Sequence, residues 1–367
     1  MLELTVTAGD ASDPASFVHA STASKVRTFL YEIAEGTTNY RSLHSLTQQV
    51  EHQYHGRFLV ELIQNAHDAL FPDIGADRGR IAISMVDGDG PFGALYIAND
   101  GCPVSRSNFT SLSQLGQSDK DPQKSIGNKG IGFRSVLEIS DSPQIFSGLD
   151  SGSARFDGMC FGFSPQVLQD LADPILELAI TGVSPVSPFG DAPLVDWDRR
   201  LIEKFQKSVR AKGSDWLTKE LAYLSPYLLP VPLNGALLHE QLMALEKDGY
   251  ATVVRLPLKS EAARAAVKVR ITQLPSDTVL FLDRVSSLIL DCDGCRRHLL
   301  RAVTRDLASK FGRQMVEIST GAGTPPDSHF IWERTLLVAD ASEEFRAALA
   351  KRFCRDKRVL IVLADGV

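Results

Sequence analysis

The segment RFLVELIQNAHDALF, from Arg57 to Phe71, decides the fold. Its apolar residues recur three or four positions apart, a spacing that predicts an amphipathic helix with one stripe packed on a core. A second stripe carries Glu61, Asn65 and Asp68, whose side-chain oxygens suit a hard cation such as Mg²⁺. By itself, this polar stripe is typical of a solvated helix face.

Two apolar runs follow at 80–86 and 93–99, and the turn DGDGP between them predicts a β-hairpin. The second run ends in Asn99-Asp100-Gly101. A side-chain oxygen there could accept a hydrogen bond from the exocyclic amine of adenine, and the glycine permits a sharp turn close to a ligand. By itself, the motif is more typical of a plain turn.

The glycine cluster GNKGIGF, from Gly127 to Phe133, precedes a predicted helix over 134–139. Backbone N–H groups at such a helix start favour an anion, and Lys129 could add charge toward a terminal phosphate. The spacing G-x-x-G-x-G differs from both the P-loop and the Rossmann motif, so a flexible loop is an equal alternative. Thr252, in the predicted strand 250–258, could reach a base through its hydroxyl, although threonine is common in strands.

The chain has 367 residues, 44% hydrophobic and 23% charged, enough for about two globular domains. No apolar run approaches the ~20 residues of a membrane span, so we expect no membrane contact and a cytoplasmic location. The net charge of −6 disfavours nucleic-acid binding. Basic residues are concentrated at Arg296–Arg297 and at Lys351–Arg358, which we interpret as solvated surface.

The five cysteines form a sparse, odd set that favours reduced thiols. Cys292 and Cys295, with His298 close by, offer three zinc ligands. Because no second C-x-x-C pair follows, we expect no metal there.

The pattern along the chain predicts three parts. Residues 1–20 are expected to form a flexible leader, ahead of helices over 24–34 and 40–54. Residues 21–260 form the main domain, with a helical insertion at about 165–245. Residues 261–367 are predicted to form a second α/β domain, with a strand-like run at 267–274 and helices over 299–311 and 342–353. The chain ends just after the apolar run VLIVLA, so we expect it to continue in a longer parent protein.

Taken in order, the helix ExxxNxxDA, the strand ending in NDG, the polar segment 116–125, the motif GxxGxG and the late threonine resemble the GHKL superfamily of ATP-binding domains. That superfamily includes DNA gyrase B, MutL, histidine kinases and a class of heat-shock chaperones. Over roughly residues 40–290 the chain is most similar to the sacsin and NO VEIN subgroup, whose module usually heads a longer chain. The resemblance implies an α+β fold, the Bergerat α/β sandwich, in which helices cover a mixed, mostly antiparallel sheet.

The resemblance also implies ATP and Mg²⁺ as ligands. It makes Glu61 the catalytic base and Asn65 the magnesium ligand. The remaining nucleotide contacts that it implies are Asp68, Ala69, Asn99, Asp100, Gly101, Gly127, Asn128, Lys129, Gly130, Ile131, Gly132, Phe133 and Thr252. One departure is clear: the usual motif D-x-G-x-G falls on Asn99 to Pro103, so either Asn99 or Asp100 would read the adenine.

Two functions remain open at this point. The first is a slow ATPase whose lid, residues 116–125, closes and moves neighbouring domains or a protein client, with a possible homodimer. The second is a nucleotide-dependent sensor or interaction module without hydrolysis, and loss of turnover but not of binding in Glu61→Ala would separate the two. A histidine kinase is disfavoured because no preceding dimerisation helix shows a phospho-acceptor histidine followed by an acidic residue, and because the glutamate in the helix motif fits the chaperone type better. A gyrase-like DNA enzyme is disfavoured by the acidic charge.

Overall fold

The computed structural model describes residues 13–42, 44–45, 56–71, 78–113, 132–150, 155–190, 192–233, 239–305, 314–320, 325–337 and 358–366. The chain divides into two compact units. The first comprises Met1–Phe71, Ile81–Gln273 and Asp291–Cys295, and the second comprises Pro72–Arg80, Leu274–Leu290 and Arg296–Val367. The domain boundary at 260/261 stays a prediction.

Helix α1 spans Pro14–Glu35. The Asp13 side chain caps it by accepting a hydrogen bond from the Ser16 backbone N–H at 2.9 Å, and proline occupies the first turn. The predicted helix over 24–34 is therefore confirmed. Residues 14–20, assigned to a flexible leader, are helical instead, because Asp13 and Pro14 form a start signal that the leader prediction overlooked. Residues 1–12 lie outside the described residues.

The first unit holds an open sheet with strand order β1-β2-β6-β3-β4-β5, and its neighbouring strands pair antiparallel. Its strands are β1 (Gly79–Val86), β2 (Ala94–Asn99), β3 (Gln144–Ser147), β4 (Phe161–Gly162), β5 (Val231–Pro232) and β6 (Thr252–Pro257). The predicted hairpin of β1 and β2 is confirmed. The architecture is α+β, as expected, while the more specific Bergerat sandwich stays a prediction.

Helices accompany this sheet. They are α2 (Phe58–Ala69), α3 (Arg106–Leu112), α4 (Gln166–Thr181), α5 (Arg199–Lys212), α6 (Ser214–Leu221), α7 (Glu240–Lys247) and α8 (Glu261–Thr272). Helix α2, as the sequence predicts, buries Phe58, Leu62 and Ala66, and it packs against β2, against α8 and against a 3₁₀ helix, Gly132–Glu138. Part of the predicted helix 40–54 lies outside the described residues.

The helices predicted between 165 and 245 share a hydrophobic cluster with α1. Phe29 and Leu30 of α1 belong to the same buried cluster as Leu171 of α4 and Phe205 of α5. The insertion is therefore anchored on the N-terminal helix, although more than a hundred residues separate the two along the chain.

A buried carboxylate holds the β1–β2 turn. Asp89 is 1% exposed and accepts hydrogen bonds from Tyr96 and from Arg255, whose Nε lies 2.8 Å from Oδ2. His239 Nε2 lies 2.8 Å from Asp89 Oδ1. Burial by itself would raise the pKa of Asp89, but the hydrogen bonds from Arg255 and Tyr96 outweigh it and hold the pKa below its ordinary value.

The second unit carries the strands β7 (Val285–Cys292), β8 (Cys295–Arg305), β9 (Gln314–Ser319), β10 (Asp327–Leu337) and β11 (Arg358–Gly366), in that spatial order. Strands β8 to β11 pair antiparallel with their neighbours. Asp293 and Gly294, with φ of 52° and 73°, turn the chain from β7 into β8. The helix predicted over 299–311 is therefore wrong for 299–305, and the helix predicted over 342–353 lies outside the described residues.

The strand-like pattern at 267–274 is also misleading, because residues up to Thr272 belong to helix α8. Ala263, Val267 and Ile271 are spaced four apart and form its buried stripe. Ser260 caps the helix by accepting a hydrogen bond from the Ala263 N–H at 3.1 Å. Valine alternates with charged residues over 267–270, which resembles a strand, whereas the Ser260 cap and the four-residue spacing of the buried side chains indicate a helix.

Candidate functional site

The polar stripe of α2 is buried, in contrast to the solvated face that the helix alone would suggest. Glu61 is 9% exposed and the Asp68 side chain 3% exposed, while Asn65 between them is half-buried. Arg57 Nη2 lies 3.8 Å from Glu61 Oε1, and His67 Nδ1 lies 3.4 Å from Asp68 Oδ1. Burying carboxylates costs free energy unless they are paired or bind a cation, so this stripe is a candidate site.

The end of α2 meets the Asn99-Asp100-Gly101 turn directly. The Cys102 N–H donates a hydrogen bond to the Ala69 carbonyl at 2.7 Å. A Cβ atom on Gly101 would lie 2.2 Å from that carbonyl oxygen, so only glycine fits. The structure therefore brings together two motifs that lie thirty residues apart in the sequence.

Three buried polar side chains share one level of the sheet. Strand pairing sets Asn99 of β2 opposite Thr252 of β6, and Thr252 opposite Ser147 of β3. Thr252 Oγ1 and Ser147 Oγ are 3.1 Å apart, and Asn99 Oδ1 accepts a hydrogen bond from the Gly101 N–H at 3.2 Å. Ser147 Oγ also accepts from the Val104 N–H at 2.8 Å. The row can offer donors and acceptors to a polar ligand edge.

Ser147 is the member of this row that sequence reasoning misses. It ends the short strand β3, and a serine there has no distinguishing pattern. Only the pairing register, which places it beside Thr252, reveals it. Asp100, which follows Asn99, is half-buried.

The described end of the glycine motif lies next to α2. Gly132 and Phe133 open the 3₁₀ helix Gly132–Glu138, where the sequence predicts a helix over 134–139. Phe133 packs on an aromatic cluster that includes Phe109 and Phe161. The Gly56 N–H, just before α2, donates to Glu138 Oε2 at 2.6 Å. The other predicted phosphate contacts, Gly127, Asn128, Lys129, Gly130 and Ile131, lie outside the described residues, as does the predicted lid over 116–125.

A half-buried lysine of α1, Lys25, lies near this 3₁₀ helix. Lys25 Nζ donates to the carbonyls of Ser113 and Leu228, both at 2.9 Å. Burial, and then the charge of Arg134, lower the pKa of Lys25 to about 7. Arg134 directly follows Phe133 and is itself buried. Two basic side chains, Lys25 and Arg134, thus lie close to the C-terminal end of the glycine motif, which the sequence pattern does not indicate.

The Cys292/Cys295 pair has a simple structural setting. Cys292 is buried at the end of β7 and Cys295 is exposed at the start of β8. His298 Nε2 lies 2.9 Å from Ser287 Oγ. Among the described residues, no group of three or more His, Cys, Asp or Glu side chains could hold a metal ion. A magnesium ion bound by one amide and nucleotide phosphates needs no such group.

No helix in the described part of the chain is both long and apolar enough to cross a membrane.

The first unit is thus an α+β module with buried polar side chains on helix α2 and at one level of its antiparallel sheet. Residues 41–157 match the family model described as Sacsin domain. This range contains the α2 stripe, the NDG turn, Ser147 and the glycine motif.

Two curated relatives agree with that match. "Protein NO VEIN" of Arabidopsis thaliana is 32% identical over 108 residues, which cover 29% of this chain and 4% of the relative. "Sacsin" of Homo sapiens is 36% identical over 103 residues, which cover 25% of this chain and 2% of the relative. The chain therefore spans only a small fraction of these relatives' lengths. The comparisons support the sacsin-like subgroup that the sequence motifs predict.

Proposed function

We propose that the first unit binds ATP with Mg²⁺ and hydrolyses it slowly, as a GHKL-type module of the sacsin-like subgroup. The observation that supports this proposal most directly is the burial of Glu61 and Asp68 on α2, the helix whose C-terminal end meets the NDG turn. On a solvated helix face those carboxylates would be exposed to water. Buried carboxylates are typical of ligand-binding sites, where a cation or a polar ligand offsets the cost of burial.

The residues present fit the proposed ligands by their chemistry. Asn65 would hold Mg²⁺ through its amide oxygen, which adds no negative charge near phosphates. Asn99 and Thr252 would face the base, and the close approach at Gly101 keeps that edge compact. Bound Mg²⁺ would supply charge neutralisation on the phosphates.

Glu61 would take a proton from the attacking water through a carboxylate oxygen. Arg57 lies one helical turn earlier, with Nη2 3.8 Å from Glu61 Oε1. The Arg57 side chain is 61% exposed, so solvent weakens this ion pair.

The second candidate, a nucleotide-dependent sensor without hydrolysis, rests on the same ion pair. If Glu61 stays in contact with Arg57 when nucleotide is bound, its carboxylate would be held away from the attacking water, and binding would occur without turnover. A protein client, downstream domains, a homodimer and a cytoplasmic location stay predictions under either function.

The test is calorimetry with ATP and MgCl₂ on the wild type, Asn65→Ala and Glu61→Ala, followed by phosphate release on the same proteins. We expect the wild type to bind and turn over, Asn65→Ala to lose at least about tenfold in affinity, and Glu61→Ala to bind without turnover. Val60→Ala, an exposed position on the same helix, is the matched control and should behave as the wild type.

Phosphate release by Glu61→Ala at the wild-type rate would refute the ATPase and leave the sensor. Absence of ATP binding by the wild type would refute both. Parallel titration of Asn99→Ala and Asp100→Ala with ATP and GTP would identify the residue that reads the base, because its loss should reduce the preference for ATP.

A further inference from the structure

A basic surface lies on the helical insertion, at a distance in sequence from every motif discussed above. Helix α5 carries six basic residues and one acidic residue between Arg199 and Lys212, in a chain whose net charge is −6. Its apolar side chains Phe205 and Val209 are buried, so the basic side chains face outward. The sequence pattern does not single out this segment, because the basic residues are spaced along a helix rather than clustered.

Some of these charges have partners and others do not. Arg199 pairs with Glu203 at 2.9 Å, Lys204 pairs with Glu35, and Lys212 lies over the Trp216 ring at 4.2 Å. Within the described part of the chain, the remaining three basic side chains of α5 make no ion pair. These are Arg200, Lys207 and Arg210.

Exposed aliphatic side chains, called the apolar ridge below, lie on the last turns of α4 and in the segment that follows it. Ile180, Val183 and Val186 are 65–66% exposed, and Leu176, one turn before Ile180, is 36% exposed. Single exposed aliphatic side chains are common on protein surfaces, but several so close in sequence are typical of an interaction surface.

The ridge and the basic helix form one surface. Gln206 of α5 donates through Nε2 to the carbonyls of Ala179 and Ile180, at 3.1 and 3.2 Å. Lys207 and Arg210 lie on the same face of α5 as Gln206, and together these side chains line a groove of about 450 Å³. The groove therefore has a cationic wall, and the aliphatic ridge begins where Gln206 contacts α4.

We propose that this surface, formed by Ile180, Val183, Gln206, Lys207 and Arg210, docks an acidic amphipathic segment of a protein partner. Carboxylates of the partner would pair with Lys207 and Arg210, and its aliphatic side chains would cover Ile180 and Val183. Charge complementarity favours an acidic occupant, because Lys207 and Arg210 make no ion pair within the described residues.

A phosphate-rich partner fits less well. Glu203 also lines the groove and would repel the dense negative charge of a nucleic acid or an anionic membrane. A peptide can place its carboxylates beside the two basic residues and avoid Glu203.

The test uses the full chain and a fluorescein-labelled helical peptide of glutamate and leucine with one acidic and one apolar face. Fluorescence anisotropy should show binding that weakens with salt. Lys207→Glu combined with Arg210→Glu should weaken binding at least about tenfold, and Ile180→Ser should also weaken it. The matched control, Lys247→Glu combined with Arg78→Glu, reverses two exposed charges elsewhere and should bind as the wild type.

Four results would overturn the proposal. The first three are no binding of the peptide, unchanged binding by the Lys207/Arg210 double variant, and tighter binding of polyuridylate or phosphatidylserine vesicles than of the peptide. The fourth is self-association of the wild type that the double variant abolishes, seen by analytical ultracentrifugation, which would assign the surface to a second copy. Because all positions are exposed, circular dichroism should show unchanged folding. None of these results depends on ATP binding.

Discussion

Replacing Gly101 by alanine should separate helix α2 from the NDG turn. The new Cβ atom would lie 2.2 Å from the Ala69 carbonyl oxygen and 2.7 Å from Leu70 Cα. Ordinary contacts between carbon and oxygen begin near ~3.3 Å, so the two segments must move apart by about 1 Å. All the contacted atoms belong to the backbone, so no side chain can rotate away to relieve the clash.

The cost has two parts. Overpacking of a close contact costs about 1–3 kcal/mol. Weakening the 2.7 Å hydrogen bond from Cys102 N–H to Ala69 adds about 0.5–1.5 kcal/mol. We therefore expect Gly101→Ala to lower the free energy of unfolding by about 1.5–4.5 kcal/mol, or the melting temperature by roughly 3–18 °C.

The assay is urea unfolding followed by circular dichroism, together with hydrogen exchange at the Cys102 amide. Exchange at that amide should accelerate in Gly101→Ala, because its acceptor moves away. Cys102→Ala, an exposed side chain in the same turn, is the control and should change stability by less than about 0.5 kcal/mol. A Gly101→Ala protein with wild-type stability and wild-type exchange at Cys102 would refute the close packing of α2 on the turn.

Two further predictions concern buried charges. Lys25 has a pKa of about 7 in the folded protein, against an ordinary 10.5, so folding disfavours its protonated form. The free energy of unfolding of the wild type, relative to Lys25→Met, should therefore increase as the pH is raised from 7 to 10.5. A constant difference in urea unfolding across that range would contradict the shift. Asp89→Asn should lower the free energy of unfolding by about 3–5 kcal/mol at neutral pH, because Arg255 loses its carboxylate partner. The control Asp87→Asn breaks the exposed ion pair with Arg264 and should lower it by less than about 1 kcal/mol. Since the pKa of Asp89 is lowered in the folded protein, the extra stability of the wild type over Asp89→Asn should be lost only as the pH falls below 3.8.

Local patterns were sufficient where one period dominates. Helix α2 and the β1–β2 hairpin follow from apolar spacing and a glycine-rich turn, and both are confirmed. The helix predicted over 299–311 is wrong for its first residues, which belong to β8. The hairpin signal that precedes β8 is the Asp293-Gly294 turn, which lies between Cys292 and Cys295. The alternating valines of α8 likewise resembled a strand.

The candidate site shows the same division. The sequence identified Glu61, Asn65 and Asp68 as one stripe, but it could not tell whether water or protein faces them. Burial depends on what packs against the helix, and those partners come from distant segments. Ser147 and Lys25 were missed for the same reason, since neither belongs to a local motif.

The sequence by itself determined the helix, the hairpin, the order of the nucleotide-type motifs and the sacsin-like character, because each is encoded in short-range spacing. Tertiary structure alone decided that α2 meets the NDG turn at Gly101, that Asn99, Thr252 and Ser147 form one row, and that α5 presents its charges beside an apolar ridge. Those features arise from strand register and helix packing between residues far apart in the chain, where no local pattern carries the information.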